Sequence, residues 1–196
     1  MRSATIRRKT NETDIALTLN LDGSGRSDVK TGVGFLDHML TLFAGHGRFD
    51  LNVSCKGDTN VDDHHSVEDV GIALGEAFRQ ALGEKKGITR YGSMLLPMDE
   101  ALVLCALDCS GRAYVRFAAQ IPSQKIGTFD TELTQEFFLA FARTAGVTLH
   151  IKQMDGENSH HIVEAMFKAF GHALGQAVRV DPLRADEIPS TKGVLA

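Results

Sequence analysis

Two stretches of this chain carry the same pattern: DHHSVEDVGIALGEAFRQAL at residues 63–82 and SHHIVEAMFKAFGHALGQAV at residues 159–178. In each, two consecutive histidines are followed by a glutamate three residues after the second histidine. Apolar residues then recur at the intervals of an amphipathic helix. Helical geometry puts the first histidine and the glutamate on one face and turns the second histidine away by about 100°. Each HHxxE motif can therefore offer ligands to two metal ions.

The segments that precede these two helices also repeat. Before the first, periodicity predicts strands at 3–9 and 14–21, a helix at 34–46 and a strand at 49–55. Before the second, it predicts strands at 91–97 and 101–108, an extra strand-like stretch at 113–119, a helix at 131–145 and a strand at 147–153. Each half is then a ββαβα unit, so the chain is predicted to be an internal duplication. We expect an α+β fold, a two-layer sandwich of helices on a sheet, with halves 1–86 and 87–196 in one compact unit.

Aligning the halves on Glu68 and Glu164 extends the set of candidate metal ligands. The alignment places His38 opposite Glu136, each on the preceding helix. The metal ligands predicted in this way are His38, His64, His65, Glu68, Glu136, His160, His161 and Glu164. Nitrogen and carboxylate donors without sulfur favour Mn, Fe, Co, Ni or Zn over Mg or Ca.

The remaining histidines and acids have less specific interpretations. His150 aligns with Asn52 and is expected to pack within its strand, and His172 is expected to be an ordinary helix residue. His46 ends its predicted helix and is either a C-cap donor or a pocket residue. The pair Asp62 and Asp63 is predicted to cap the following helix and to support its histidines.

Composition narrows the possible classes of function. With 43% hydrophobic residues, the 196-residue chain can form a substantial core. A net charge of −4 argues against a general nucleic-acid binder but allows a local basic pocket. No window has the ~18 apolar residues of a membrane span, and MRSATIRRKT lacks the apolar core of a signal peptide. Three cysteines without zinc spacing are expected to be reduced thiols of a cytoplasmic protein.

At these residues the chain closely resembles the imidazoleglycerol-phosphate dehydratase family of histidine biosynthesis. The matching segments run nearly end to end and include RKTNETDIALTLNLDGSG, TGVGFLDHML, DDHHSVEDVGIALG, RYGSMLLPMDEAL, GENSHHIVEAMFKAFGHAL and STKG. The resemblance implies the ribosomal protein S5 domain 2-like fold and a hydro-lyase with two Mn(II) per active site. It also implies a homo-oligomer, a 24-mer built from trimers whose sites lie between subunits. One departure is Glu136, where some members of the family have histidine.

The implied reaction removes water from D-erythro-imidazole-glycerol phosphate and gives imidazole-acetol phosphate. The hydrogen that is lost lies beside no carbonyl, so the ring must supply the driving force. Held as an imidazolate by two cations, the ring can expel the hydroxyl through a diazafulvene intermediate. The resemblance makes Glu12 the candidate for proton transfer, with Glu68 and Glu164 as further catalytic carboxylates. Asp99 and Glu100 are second, exposed acidic candidates.

The phosphorylated substrate needs cations and hydrogen-bond donors. The resemblance assigns substrate binding to Glu12, His46, Arg90, Arg112, Lys168, Ser190 and Lys192. The tail at 189–193, PSTKG, is expected to order over the site and contact the phosphate. Two other functions remain open on the residues alone. A dinuclear metallohydrolase would release phosphate, and a metal-assembled shell or storage protein would bind no substrate analogue.

Overall fold

The computed structural model describes residues 1–195. Its elements in chain order are β1 (Ser3–Lys9), β2 (Thr13–Asn20), β3 (Ser27–Lys30), α1 (Gly34–Gly47), β4 (Asp50–Gly57), α2 (His64–Leu82), β5 (Tyr91–Met98), β6 (Ala101–Asp108), β7 (Tyr114–Ala118), β8 (Lys125–Ile126), β9 (Phe129–Asp130), α3 (Leu133–Ala145), β10 (Thr148–Asp155), α4 (Ser159–Ala177) and a 3-10 turn at Pro182–Arg184. Both predicted HHxxE helices are present, as α2 and α4.

Two four-stranded sheets share one connectivity. The first has the order β1-β2-β4-β3 and the second the order β5-β6-β10-β7. In each sheet the last pair is parallel, β3 with β4 and β7 with β10, and the other pairs are antiparallel. Corresponding strands therefore occupy corresponding places. The α+β fold class is confirmed, and the topology repeats as the sequence does.

Strand β3 corrects the predicted ββαβα unit. It pairs with β4 as β7 pairs with β10, so the stretch at 113–119 has a counterpart in the first half. Both halves share a βββαβα unit, to which the second half adds the two-residue strands β8 and β9. The pattern of β3, Ser-Asp-Val-Lys, has a single apolar residue and no alternation, so periodicity could not find it. An edge strand with solvent on its outer side tolerates such polarity.

The helices of the two halves pack against each other. Helix α2 covers β1 and β2, and α4 covers β5 and β6, while α1 packs on α4 and α3 packs on α2. Glycine allows this close approach at equivalent contacts. A Cβ on Gly75 would lie 2.5 Å from the Phe141 carbonyl oxygen, and one on Gly171 would lie 2.7 Å from that of Phe43. Residues of α1 are thereby brought beside α4, and residues of α3 beside α2.

The core lies between the sheets and the helices. Phenylalanines from both halves fill it, including Phe43, Phe78, Phe137, Phe141 and Phe170, all at most 1% exposed. Leu51 and Val53 of β4 are buried like their aligned partners Leu149 and Ile151 of β10. All three cysteines are free, with Cys105 and Cys109 buried, and burial raises the pKa of the Cys109 thiol to about 12. Within residues 1–195, no helix combines the length and apolarity needed to cross a membrane.

Candidate metal centre

Three potential metal ligands from different halves meet where α1 packs on α4. His160 Nε2 lies 3.0 Å and His38 Nε2 lies 3.4 Å from the same oxygen, Glu164 Oε2. The ligand atoms of all three residues lie within 4.8 Å of one another. Two imidazole nitrogens and a carboxylate oxygen at this spacing fit one divalent transition-metal ion. The i,i+4 spacing of His160 and Glu164 aligns two of these donors, and the α1–α4 contact adds His38.

Glu164 is held in place on both of its oxygens. Its side chain is only 9% exposed, and Lys168 Nζ lies 2.6 Å from its second oxygen, Oε1. Burial raises the pKa of Glu164, but hydrogen bonds from Lys168 and His160 outweigh burial and leave the pKa below its ordinary value. Phe35 packs its ring edge-on against His160, with 5.2 Å between ring centroids. The carboxylate is therefore ionised and oriented towards the two histidines.

A second group of candidate ligands is more open. His64 Nε2 and Glu68 Oε2 are 3.8 Å apart on α2, and Arg143 of α3 lies 3.2 Å from the other Glu68 oxygen. Glu136, also on α3, shares with Glu68 the lining of one cavity of about 320 Å³. The repeat thus gives Glu136 the position relative to α2 that His38 has relative to α4. Each group draws its donors from both halves rather than from one.

The second histidine of each motif faces away from the first and contacts carboxylates outside its own helix. His65 Nδ1 lies 3.0 Å from Asp58, and its Nε2 lies 3.7 Å from Glu12. His161 Nδ1 lies 2.7 Å from Glu100, and its Nε2 lies 3.8 Å from Asp99. The hydrogen bond to the carboxylate raises the pKa of each histidine above its ordinary value.

Sequence reasoning missed Asp58 altogether and gave Glu100 a different role. Glu100 Oε1 accepts hydrogen bonds from the backbone amides of Glu157 and Asn158, while Oε2 binds His161. The hydrogen bond from His161 lowers the pKa of Glu100 to about 2, so this acid is not a free base. In the sequence Asp58 lies seven residues before His65, a spacing that by itself predicts no contact between them.

Glu12 lies on the turn between β1 and β2 and remains half-exposed. The turn is fixed to α2 through Asp69, a buried carboxylate that accepts hydrogen bonds from Arg8 and from the Thr13 hydroxyl. The Glu12 carbonyl oxygen also accepts from the Asp58 amide at 3.1 Å. These contacts hold the Glu12 carboxylate near His65 while leaving it accessible to a ligand.

The predicted phosphate-binding residues are divided between two ends of β5. Arg90, just before the strand, makes two hydrogen bonds to Asp108 at 2.7 and 3.0 Å and one to the Pro189 carbonyl oxygen. Lys168 contacts Met98, the last residue of the strand, at 3.5 Å. Eight strand residues span roughly 26 Å. Within one chain, Lys168 and Arg90 therefore make these contacts at opposite ends of β5.

The chain after α4 lies beside Arg90. Pro189 and Ser190 line one cavity with Arg90, and the Lys192 amide donates to the Ser190 hydroxyl. Arg112 stays 63% exposed, with its guanidinium 4.0 Å from Asp108. The predicted cations Arg90 and Arg112 therefore lie around the Asp108 carboxylate, with the tail beside Arg90.

The other predictions have mixed outcomes. His46 is not the C-cap of α1, since Arg48 takes that place, and its Nδ1 lies 3.0 Å from His172 Nε2 in a shared pocket. Asp62 accepts from the His64 amide at 2.8 Å, but the Asp63 side chain caps nothing. His150 lies on the exposed face of the second sheet, 5.8 Å from the Tyr114 ring.

Comparison with known proteins is consistent across the whole chain. The family described as imidazoleglycerol-phosphate dehydratase matches residues 31–174. The chain is 60% identical over 195 residues to the enzyme of that name from Synechococcus sp. (strain WH7803), covering 100% of this chain and 96% of the relative. It is 61% identical to that of Lachnoclostridium phytofermentans, covering 99% and 98%.

Solved structures agree with these relatives. The Staphylococcus aureus dehydratase is 42% identical with a TM-score of 0.84, covering 91% of this chain and 99% of that one. The Pyrococcus furiosus protein, solved with the compound (S)-C348, has the same identity and TM-score and covers 97% and 100%.

Proposed function

The chain belongs to the imidazoleglycerol-phosphate dehydratase family, whose members are hydro-lyases of histidine biosynthesis, and on that premise we propose the metal, the residues and the route by which it works. The substrate is D-erythro-imidazole-glycerol phosphate and the product imidazole-acetol phosphate. The cofactor we propose is two Mn(II) per active site. We propose that the reaction takes place in the cytoplasm, where free cysteines such as those of this chain stay reduced.

The observation that carries the metal proposal is the cluster of His38, His160 and Glu164. Its three donor atoms lie close enough together to share one ion, and Lys168 keeps the carboxylate ionised and turned towards them. The repeat supplies a second group, which consists of Glu136, His64 and Glu68. Two groups per chain support a dinuclear site, although the second has the more open geometry in the chain alone.

We propose that each site is completed by another subunit. His65 and His161 face away from the two groups, and the phosphate-binding candidates of one chain lie at opposite ends of β5. A neighbouring copy of the chain can bring its own His65 or His161, and its Arg90 with the adjacent tail, to one of these groups of ligands. The assembly proposed is the 24-mer built from trimers, with the halves 1–86 and 87–196 packed as one unit in each subunit.

The outer face of the second sheet is more apolar than that of the first, which supports association of subunits through the second sheet. There Leu95 faces Leu104 and Pro97 faces Leu102 across β5 and β6, and Leu95 is 53% exposed. At the equivalent place on the first sheet, Arg7 and Ser54 flank Ala16. An exposed apolar sheet face of this kind fits a second copy of the chain, because burying it removes apolar surface from water.

The proposed chemistry begins with the imidazole ring of the substrate. When bound, the two ions would supply positive charge that favours the deprotonated ring. Loss of the side-chain hydroxyl then gives a diazafulvene-like form of the substrate. Removal of the neighbouring C–H proton gives an enol, which becomes the ketone, so that one water leaves overall.

The residues of the chain supply positioning and proton transfer. Glu12 is the proposed base, because its carboxylate is accessible, anchored by its turn and 3.7 Å from a candidate ligand. Glu68 and Glu164 act as ligand carboxylates. Arg90, Arg112, Ser190 and Lys192 of one subunit, with His46 and Lys168 of another, are the proposed substrate contacts.

A direct assay tests this function. Purified protein is incubated with imidazole-glycerol phosphate, and the ketone product and free phosphate are both measured. We expect ketone without phosphate, loss of activity after chelation, and recovery on adding Mn(II). Light scattering on the chelated protein should give a smaller particle. Full activity after verified removal of all metal would overturn the metal proposal, and release of phosphate instead of ketone would overturn the dehydratase function.

A further inference from the structure

The second histidine of each HHxxE motif has a carboxylate partner at Nδ1, but the two carboxylates come from different loops. Asp58, which binds His65, lies in the segment between β4 and α2, whereas Glu100, which binds His161, lies in the turn between β5 and β6. The segment before α4 is shorter than the one before α2, at 156–158 against 58–63. Both halves therefore place a carboxylate beside the second histidine, although the carboxylate comes from a different loop in each half.

The hydrogen bonds decide which ring nitrogen carries the proton. An ionised carboxylate only accepts hydrogen bonds, so the histidine nitrogen facing it must be the donor. In a neutral imidazole the proton is then on Nδ1, and Nε2 keeps its lone pair. Carboxylates that hold metal-binding histidines in this way orient the ring and make it a better donor. His65 and His161 both satisfy this description.

The two carboxylates are themselves held to different degrees. Glu100 is fixed by the amides of Glu157 and Asn158 at the start of α4, the helix that carries His161. Asp58 is anchored through its backbone, because its amide donates to the Glu12 carbonyl oxygen and its own carbonyl accepts from Val61. Both carboxylates are thus held in place by backbone hydrogen bonds. Neither histidine ring can turn without breaking its hydrogen bond to the carboxylate.

We propose that Asp58 and Glu100 are positioning residues that fix His65 and His161 with the proton on Nδ1, so that each presents Nε2 as a metal-binding atom. This inference rests on the proposed metal-dependent function and extends it to two residues outside the ligand set. It also gives Glu100 a role distinct from that of Glu12. The Glu12 carboxylate lies 3.7 Å from His65 Nε2, makes no hydrogen bond within residues 1–195, and remains available for proton transfer.

The test compares Asp58→Asn and Glu100→Gln with matched controls. An amide at either position can turn its NH₂ towards Nδ1 and no longer imposes the proton there. The controls are Asp28→Asn, at an exposed carboxylate of β3, and Glu157→Gln, whose carboxylate has no hydrogen-bond partner within the described residues. Mn(II) affinity is measured without substrate, by calorimetry and Mn(II) electron paramagnetic resonance as Mn(II) is added back to the chelated protein. Light scattering on the same samples follows reassembly.

We expect each test variant to bind Mn(II) about 10- to 100-fold more weakly, with both controls unchanged. Activity should return towards the wild-type kcat at saturating Mn(II), because the defect is in affinity. A purely structural role would instead lower thermal stability and leave the affinity of the folded fraction intact. The Asp58 variant keeps the inference testable if Glu100→Gln fails to fold, because the Asp58 side chain accepts no hydrogen bond from a backbone amide of the described residues.

The outcomes separate the inference from the function beneath it. If the wild-type protein binds Mn(II) and both test variants match its affinity, the positioning role is wrong while the metal-dependent function stands. If the wild-type protein binds no Mn(II), both fail together.

Discussion

The two halves of the chain have one topology and one HHxxE motif, but different side chains surround the motif in each half. In the second half, Glu164 is 9% exposed and is held by Lys168 of its own helix. In the first half, Glu68 is 35% exposed and is held by Arg143 of α3. The repeat therefore fixes where the ligands lie, whereas residues outside the motif decide how firmly each carboxylate is held. We expect the two proposed metal ions to be bound unequally.

The largest expected effect comes from removing the better-held carboxylate. Replacing a partner of a metal ligand typically costs 10- to 100-fold in affinity or activity. Glu164→Gln, which alters a proposed ligand itself, should lower kcat by more than about 100-fold. Glu68→Gln should cost less, because that carboxylate is more exposed and its group more open. Metal content and kcat are measured together, and equal losses in both variants would mean that the halves hold their ions alike.

A second comparison uses the outer faces of the sheets. Leu104→Lys places a charge in the apolar face of the second sheet, and Ala16→Lys places one at the matching position of the first. The first substitution should shift the particle to smaller oligomers, since burying an unpaired ammonium in an interface is unfavourable. The second should leave the mass unchanged. Light scattering decides, and dissociation caused by Ala16→Lys alone would assign assembly to the opposite face.

Only the second half continues into a tail that contacts an arginine of the phosphate-binding set. Deleting residues 189–196 removes the contact of Pro189 with Arg90 and the hydroxyl of Ser190. Losing charge-assisted contacts to a phosphate should raise KM roughly tenfold or more, with a smaller change in kcat. Steady-state kinetics at saturating Mn(II) provide the measurement. Unchanged kinetics would remove the tail from the substrate site.

The smallest effect is expected where the halves differ by one ligand. Glu136→His makes the α3 ligand the same type as His38 of α1. Carboxylate and imidazole can both bind the same class of ion, so Mn(II) affinity should change only a few-fold. Calorimetry during the addition of Mn(II) to the chelated protein measures this change. A complete loss of one binding event would show that Glu136 is irreplaceable at its position.

Periodicity and spacing predicted the four helices and the longer strands. The HHxxE helices and the aligned pairs Leu51 with Leu149 and Val53 with Ile151 could all be read from the sequence, because burial imposes a repeating pattern on neighbouring residues. Strand β3 could not be found, because a short polar edge strand carries no such pattern.

The surroundings of the site were harder to predict because they depend on contacts between distant residues. Nothing in the spacing places Glu100 beside His161, 61 residues later, since their contact depends on where a hairpin turn meets a helix start. The separation of Lys168 from Arg90 similarly depends on the direction of β5 beneath α4. The alignment named His38 as a ligand, but its association with α4 rather than α2 followed only from helix packing.

That helix packing has a consequence for the origin of the site. Because α1 of one half contributes His38 to a cluster on α4 of the other, a chain consisting of a single half would carry the two parts of the cluster on surfaces that cannot reach each other. Two such chains would have had to dimerise before either could hold an ion in this way. Carrying both halves on one polypeptide makes that encounter intramolecular, so the two groups of proposed ligands can differ from each other without affecting a dimer contact.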